Sequence, residues 1–133
     1  MAAAPIAPAT EIPPVRRATP AEIAKRAKAL PGVAGVIIAL PDGLSVASLA
    51  PEGVDADMLA AFVPQILDRA SQSVTELRMG ELRSLSFTVG NVPWMIFRGS
   101  MIYFAAFGRE GEALPPSAQL EALATELDRK KQK

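Results

Sequence analysis

The stretch LPGVAGVIIALPDGLSVAS at residues 30–48 decides the fold, because it predicts two paired strands and the turn between them. Residues 33–40 are apolar at nearly every position and β-branched at several, which is typical of a strand covered on both faces. A proline, an aspartate and a glycine at 41–43 favour a tight reversal of the chain. Residues 44–50 carry serines among apolar residues, so we expect them to form the less buried antiparallel partner.

One helix is predicted before this hairpin and a longer one after it. Thr19 and Glu22, with a proline at the first helical position between them, form a capping box that starts a helix running to about Leu30. Asp55 can cap the second helix, and Pro64 inside it removes one hydrogen bond, so we expect a kink or a delayed helix start. The spacing of its apolar residues predicts a single apolar face, made of Leu59, Phe62, Val63, Ile66, Leu67, Ala70, Val74 and Leu77.

The second half of the chain predicts a three-stranded meander and a last helix. ELRSLSFTV at 81–89 alternates between apolar and hydroxyl residues, and the Gly-Asn pair at 90–91 favours a hairpin turn of the primed type. VPWMIF at 92–97 and SMIYFAAF at 100–107 are the next two strands. The resulting order αββαβββα predicts an α+β fold, a five-stranded antiparallel sheet with helices on both faces. The last helix carries Leu120, Leu123, Ala124 and Leu127 on one side.

Composition and charge limit the classes of protein to which this chain can belong. The chain has 133 residues, and we expect residues 1–18, rich in Ala and Pro, to form a flexible arm before a single domain at 19–133. Its 14 basic side chains balance 14 acidic ones, which disfavours nucleic-acid binding. No stretch approaches the ~18 apolar residues of a membrane span, and prolines interrupt the N-terminus where a secretory signal would lie. A soluble, cytoplasmic protein is expected.

The sequence predicts no catalytic, metal or cofactor site. It contains neither His nor Cys, the usual zinc ligands and the usual bases and nucleophiles of hydrolases. The serines lack a base, because no lysine occurs between Lys28 and Lys130. Asp55 and Asp57 fit a helix start better than a metal site, and the glycine patterns that cradle phosphates are absent. We therefore expect no enzyme activity and no cofactor.

Four arginines and a group of aromatic residues each allow a functional as well as a structural interpretation. Arg78, Arg83, Arg98 and Arg109 could include a finger that acts on a phosphate bound by another protein, although surface or structural roles suit each of them better. The aromatic residues between 94 and 107 could stack nucleic-acid bases. They lie among Met and Ile without interleaved lysines, so core packing is preferred.

The segment 81–89 is expected to be an open edge of the sheet. It lies on the side away from the opening hairpin, it carries no proline, and Arg83 is its one basic residue. Unpaired edges attract a further strand, and the amphipathic second helix lies beside this one. The expected occupant of the edge is a second copy of the chain.

The order of elements, together with the hairpin stretch, resembles the roadblock (dynein light-chain) family of small domains. The features that carry the resemblance are the helix ending at Leu30, the Pro-Gly-Val at 31–33, the apolar first strand and the Asp-Gly turn at 42–43. A further feature is the long second helix followed by GELRSLSFTV at 80–89. Together they extend over residues 19–130.

This resemblance implies a homodimer in which the second helix and third strand of each protomer meet, so that two sheets join into one. It also implies a non-catalytic scaffold or regulator of Ras-like small GTPases, a role that includes bacterial GTPase-activating partners, or a subunit of a motor or membrane-signalling complex. Our first hypothesis is therefore a dimeric adaptor that alters the nucleotide cycle of a small GTPase. The alternatives are a scaffold subunit without effect on nucleotide turnover, and a small-ligand sensing module with a pocket between helix and sheet.

The interface residues follow from the open edge and its neighbouring helix. An edge strand beside an amphipathic helix favours an isologous contact, in which the same patch meets itself. The predicted interface residues are Leu59, Phe62, Ile66 and Arg69 on the helix and Leu82, Ser84, Ser86 and Thr88 on the strand.

Overall fold

The structure, a computed structural model, describes residues 19–128, so the predicted arm at 1–18 and the basic tail at 129–133 lie outside the described residues. The order of elements confirms the predicted αββαβββα arrangement. The elements are α1 Pro20–Lys28, β1 Val33–Ala39, β2 Ser45–Leu49, α2 Ala56–Thr75, β3 Ser84–Val89, β4 Val92–Arg98, β5 Tyr103–Gly108 and α3 Ser117–Asp128.

The five strands form one antiparallel sheet in the order β2-β1-β5-β4-β3. As its continuous apolar sequence predicts, β1 pairs on both sides and is buried at every position. The strands β3, β4 and β5 follow one another as the predicted meander. Among the described residues β2 and β3 are the two edges, which confirms the expected place of the third strand.

The two faces of the sheet have separate cores, and adjacent residues of β1 point into different ones. Ile38 packs with α1 and α3, whereas Ile37 packs with α2. The core under α1 and α3 includes Ile23, Ala27, Val33, Val36, Phe97, Phe104, Leu120 and Leu127. The core under α2 includes Ala34, Ala60, Val63, Leu67, Ile96, Tyr103, Ala105 and Phe107.

Both helix starts have the caps that the sequence predicts. The Thr19 hydroxyl accepts the Glu22 backbone N–H at 3.2 Å, and the Glu22 carboxylate accepts the Thr19 N–H at 3.1 Å, a complete capping box. The Asp55 carboxylate accepts the Met58 N–H at 3.2 Å, so α2 begins directly after it. A delayed start at Pro64 is therefore wrong, because this buried proline lies within a continuous helix.

The predicted apolar face of α2 is only partly buried in the monomer. Val63 and Leu67 are buried, but Phe62 is 47% exposed and Ile66 is 36% exposed. Leu77 lies beyond the end of the helix. The apolar stripe is wider than the strip that one helix can bury on a flat sheet, so part of it faces outward.

The turns of the meander differ from one another. A two-residue turn at 90–91 joins β3 to β4, with a φ of 62° at Gly90 and no positive φ at Asn91, which fits the predicted primed class as type II′. The next turn is longer, because the Gly99 N–H bonds to the Ile102 carbonyl at 2.8 Å. The third strand starts at Ser84, not at residue 81, and residues 81–83 belong to the 76–83 connection that follows α2.

Candidate interaction surface

The buried side of α2 rests on the sheet and on the tip of the first hairpin. Ala60, Val63 and Leu67 lie in the core of this face. Gly43 in the hairpin turn has a φ of 90°, and a Cβ there would lie 3.1 Å from the Ala61 Cα atom. Glycine is required here by both the backbone angle and the close approach, so the hairpin sequence fixes where the helix sits.

A polar seam on the same flank fastens the middle of α2 to the strand ends. The Tyr103 hydroxyl donates to Asp68 Oδ1 at 2.9 Å, and Arg98 Nη2 donates to Ser71 Oγ at 2.9 Å. Burial raises the pKa of Tyr103, the hydrogen bond to Asp68 and the charge of Asp68 raise it further, and the Arg98 charge opposes them. Arg98 Nε is buried without a hydrogen-bond partner among the described residues. The seam orients α2 and leaves its other flank free.

The free flank of α2 carries the four predicted helix residues. Leu59, Phe62, Ile66 and Arg69 follow one another at helical spacing, so they form one stripe along α2. Leu59 is half-buried against the core, whereas the other three are exposed. The structure therefore brings these residues together on an apolar surface that ends in one guanidinium.

Three aromatic rings cross the sheet on the α2 face, from β5 to the open edge. The ring centroids of Phe87 and Trp94 are 5.9 Å apart with planes at 9°, and those of Trp94 and Phe107 are 4.8 Å apart at 29°. Phe107 lies over Gly35, where a Cβ would overlap its ring. Phe107 is buried, whereas Trp94 and Phe87 are only half-buried. The stack confirms core packing at its inner end and adds apolar surface at its outer end.

The backbone of β3 presents unpaired groups to its outer side. The Arg98 N–H donates to the Arg83 carbonyl at 2.9 Å, so these two residues face each other as a hydrogen-bonded pair. Hydrogen-bonded and non-hydrogen-bonded pairs alternate along an antiparallel ladder. It follows from the register that Ser84, Ser86 and Thr88 point their N–H and C=O groups away from β4. Pro93, which has no N–H, lies opposite Thr88, as this alternation requires.

The predicted strand residues therefore reach the edge through their backbone, not their side chains. Ser84 and Ser86 pair with Phe97 and Met95, so their hydroxyls lie on the face of α1 and α3, opposite the α2 stripe. Leu82 packs beside α2, half-buried. Sequence reasoning missed Leu85, Phe87 and Trp94 as part of this surface, because their alternation predicts burial and α2 does not extend over β3.

The four arginines considered above as possible arginine fingers differ in their surroundings. Arg98 is held by Ser71, and Arg109 Nη1 lies 3.7 Å from Glu112 Oε1. Arg78 is exposed with a φ of 58°, and Arg83 is exposed at the start of the edge strand. Across residues 19–128, no group of three or more acidic side chains is placed to hold a metal ion. Nor is any helix in that range long and apolar enough to cross a membrane.

Fold and surface together define a small sheet domain in which β3 is an edge strand and one flank of α2 is exposed. The model of the Roadblock/LC7 domain matches residues 21–96, more than half of the 133 residues, and the chain belongs to this family. Comparison with curated proteins gives no match.

Solved structures support the fold at low sequence identity. Myxococcus xanthus MglB is similar with a TM-score of 0.74 and 10% identity, over 84% of this chain and 86% of that one. A Roadblock/LC7 domain from Streptomyces avermitilis gives 0.67 and 14%, over 85% and 94%. Profilin II of Acanthamoeba castellanii gives 0.51 and 18%, over 75% and 88%. The fold is thus that of roadblock domains, with profilin as a more distant neighbour.

Proposed function

We propose that this protein is a non-catalytic homodimeric adaptor or regulator of a Ras-like small GTPase, acting in the cytoplasm. Two observations carry the proposal, the open β3 edge and the exposed α2 stripe, in a chain of the Roadblock/LC7 family. Scaffolds and regulators of small GTPases are the role that the family resemblance implies. The sequence has no His or Cys with which to perform acid–base or thiol chemistry itself.

The proposed dimer joins two β3 strands about a twofold axis. The outward backbone groups at 84, 86 and 88 allow Ser86 to face its own copy, with Ser84 opposite the Thr88 of the other protomer. The two α2 helices then lie on one face, where Phe62 and Ile66 cover each other and the outer end of the aromatic stack. One contact thus satisfies the edge and buries the exposed apolar stripe.

The dimer is tested by solution mass from light scattering. Wild type is expected at twice the chain mass, and Phe62→Asp at the chain mass, because a carboxylate in this contact would be buried without a partner. Met101→Asp is the matched control, since Met101 is 51% exposed and lies in the β4–β5 turn, away from the stripe. Monomeric wild type, or loss of the dimer in both variants, contradicts the proposed contact.

A second variant tests the strand edge separately from the helix. Ser86→Pro removes an outward N–H and leaves the hydrogen bonds between β3 and β4 in place, so we expect a folded monomer by circular dichroism and light scattering. A Ser86→Pro variant that remains a dimer would mean that the helices alone make the contact.

The GTPase role is tested by pull-down and nucleotide-turnover assays against Ras-like GTPases, starting with any that is encoded near this chain's gene. We expect the wild-type dimer to bind one of them and to change its GTP hydrolysis or nucleotide exchange at least about tenfold. Monomeric Phe62→Asp should lose the effect and Met101→Asp should keep it. Binding without any change in rate favours the scaffold alternative, and absence of both binding and effect contradicts a GTPase role.

A further inference from the structure

A groove lies between α1 and α3, on the face of the sheet opposite to α2. It has a volume of about 360 Å³ and is lined by Arg26, Leu30, Gln119, Ala122, Leu123 and Glu126. We propose that residues 12–15, Ile-Pro-Pro-Val, dock in this groove, so that the N-terminal arm folds back along the first helix of its own chain. This goes beyond the proposed function and does not depend on it, because the groove and the α2 stripe lie on different faces of the sheet.

The floor of the groove is aliphatic. Leu30 and Leu123 pack against the core of this face and are only half-buried, so part of each side chain faces the groove. The ion pair of Arg26 and Glu126 bridges the two helices at one end of it. A cavity of about 150 Å³ accommodates benzene, so a groove of about 360 Å³ has room for two aliphatic side chains. Their burial is favourable because it removes apolar surface from water.

The size of the groove favours a short segment of chain over a folded partner. Six residues line it, whereas a stable protein–protein contact takes about 20–30 residues from each side. A separate peptide would lose translational and rotational freedom on binding. A segment of the same chain is already tethered, and short flexible linkers give effective concentrations in the millimolar range. The groove therefore suits a tethered segment.

The N-terminal arm joins the fold at the right place and is long enough to reach the groove. Thr19 caps α1, Arg26 lies about 10 Å along the helix from it, and Leu30 lies one further turn away. In an extended polyproline conformation, at about 3.1 Å per residue, Val15 can lie up to about 12 Å from Thr19 and Ile12 up to about 22 Å. Once the chain reverses direction before Thr19, these two side chains reach the two ends of the groove.

The arm also has the side chains that such a groove accepts. Ile12 and Val15 are aliphatic, and the polyproline helix has three residues per turn, so side chains at 12 and 15 point to the same side. The two prolines between them fix their own φ angles, which lowers the conformational entropy lost on docking. The segment RKKQK at 129–133 has no apolar side chain to offer. The flexible arm expected from the sequence would then be confined to residues 1–11.

Disulfide trapping in the full chain tests the docked arm, because the sequence has no cysteine of its own. Val15→Cys with Ala122→Cys places one thiol on the arm and one in the groove. Val15→Cys with Lys25→Cys is the matched control, since Lys25 is exposed on α1 next to Arg26 and does not line the groove. In a glutathione buffer we expect an effective concentration for the intramolecular disulfide at least about tenfold higher in the groove pair, measured by mass spectrometry after alkylation.

Two substitutions in the arm show whether this preference comes from residues 12–15. Ile12→Asp should reduce the preference of the groove pair to the level of the control, because a carboxylate in the groove would lose its hydration. Ile6→Asp, the same change outside the docking segment, should leave the preference unchanged. Equal disulfide formation in the groove and control pairs, or an unchanged preference in Ile12→Asp, overturns the proposal.

The disulfide products also distinguish the other possible occupants. Mainly intermolecular disulfides would assign the groove to a second copy of the chain and overturn the proposal. The groove pair in the Phe62→Asp background, expected to be monomeric, should keep its preference, which separates the docked arm from the proposed dimer. Loss of the preference in that background would place the arm on the other protomer and would also overturn the proposal.

Discussion

The two faces of the sheet are made by the same strands and end up in different states. On one face α1 and α3 cover the core, and Ile23, Leu120 and Leu127 are at most 1% exposed. On the other face a single helix packs on β1, β5 and the Ile96 position of β4, while Phe87 and Trp94 toward β3 stay half-buried. The number of covering helices accounts for this difference. One helix is about 10–12 Å wide and strands lie about 4.8 Å apart, so a single helix cannot cover all five strands.

The comparison explains why an interaction surface belongs to the α2 face. The exposed side chains Phe62 and Ile66 are part of a helix that already has a buried strip, so their exposure is not a failure of amphipathic patterning. Exposed apolar patches and unpaired strand edges are both features that attract a partner, so this face is the one to which we assign the proposed contact. The face of α1 and α3 has instead a cleft between α3 and the ends of β3 and β4.

The largest expected effect comes from a core residue on the face covered by α1 and α3, here called the closed face. It is compared with the effect of an exposed residue on the α2 face, here called the open face. Ile38→Ala should lower the free energy of unfolding by about 2–5 kcal/mol at every protein concentration, because it leaves a cavity under α1 and α3. Phe62→Ala should lower it by an amount that depends on protein concentration, as expected for a dimer contact. Denaturant titrations at several concentrations check both. A concentration-independent loss in Phe62→Ala would place this residue in the core of the monomer.

A smaller effect is expected from Gly35 under the aromatic stack. Gly35→Ala places a Cβ where the Phe107 ring lies, so the ring must move toward Trp94, at a cost of about 1–3 kcal/mol. Trp94 is the single tryptophan of the chain, so its fluorescence reports the shift directly. In a Phe107→Ala background the same substitution should cost less, and equal costs in both backgrounds would contradict the steric explanation.

The polar seam under α2 predicts a pH dependence. Tyr103→Phe removes the hydrogen bond to Asp68 and should cost about 1–2 kcal/mol near neutral pH. Because folding raises the pKa of Tyr103 above its usual 10.0, the stability from this shift is complete below pH 10 and falls as pH rises through the folded-state value. Stability should therefore fall above pH 10 more in wild type than in Tyr103→Phe, as measured by chemical denaturation. Parallel decreases would contradict the shift.

The smallest effect concerns the ion pair that joins the two helices of the closed face. Arg26 Nη1 lies 2.9 Å from Glu126 Oε1, with the two side chains 51% and 38% exposed. Solvent screens such a pair, so Arg26→Gln should change the free energy of unfolding by about 0.5 kcal/mol or less, and added salt should remove the difference. A loss of several kcal/mol would mean that Arg26 packs against α3 in a way that its exposure does not indicate.

Local sequence signals account for much of this fold. The capping box at Thr19 and Glu22 fixes the start of α1, and the Gly-Asn turn fixes the β3–β4 hairpin, since both depend on residues close in sequence. The continuous apolar run of β1 predicts a strand paired on both sides, and the alternation in β3 predicts one at the edge. These signals suffice because each describes the surroundings of its own element.

The candidate sites depend on contacts that such signals do not contain. Two contacts between distant segments decide which part of the broad apolar stripe of α2 faces outward. They are the close approach of Gly43 to Ala61 and the hydrogen bond from Tyr103 to Asp68. The groove between α1 and α3 joins Leu30 to Leu123, which lie just after the first helix and on the last one. No periodicity relates two such positions.

By itself the sequence determined the order of the elements, their caps and turns, the buried first strand and the resemblance to roadblock domains, because backbone preference and hydrophobic period act over a few residues. Only the tertiary structure decided which flank of α2 is free, which backbone groups of β3 point outward, and that a cleft lies between α3 and the strand ends on the opposite face. Those properties arise from the crossing of helices over a sheet of fixed strand spacing, and that geometry exists only once distant parts of the chain have packed together.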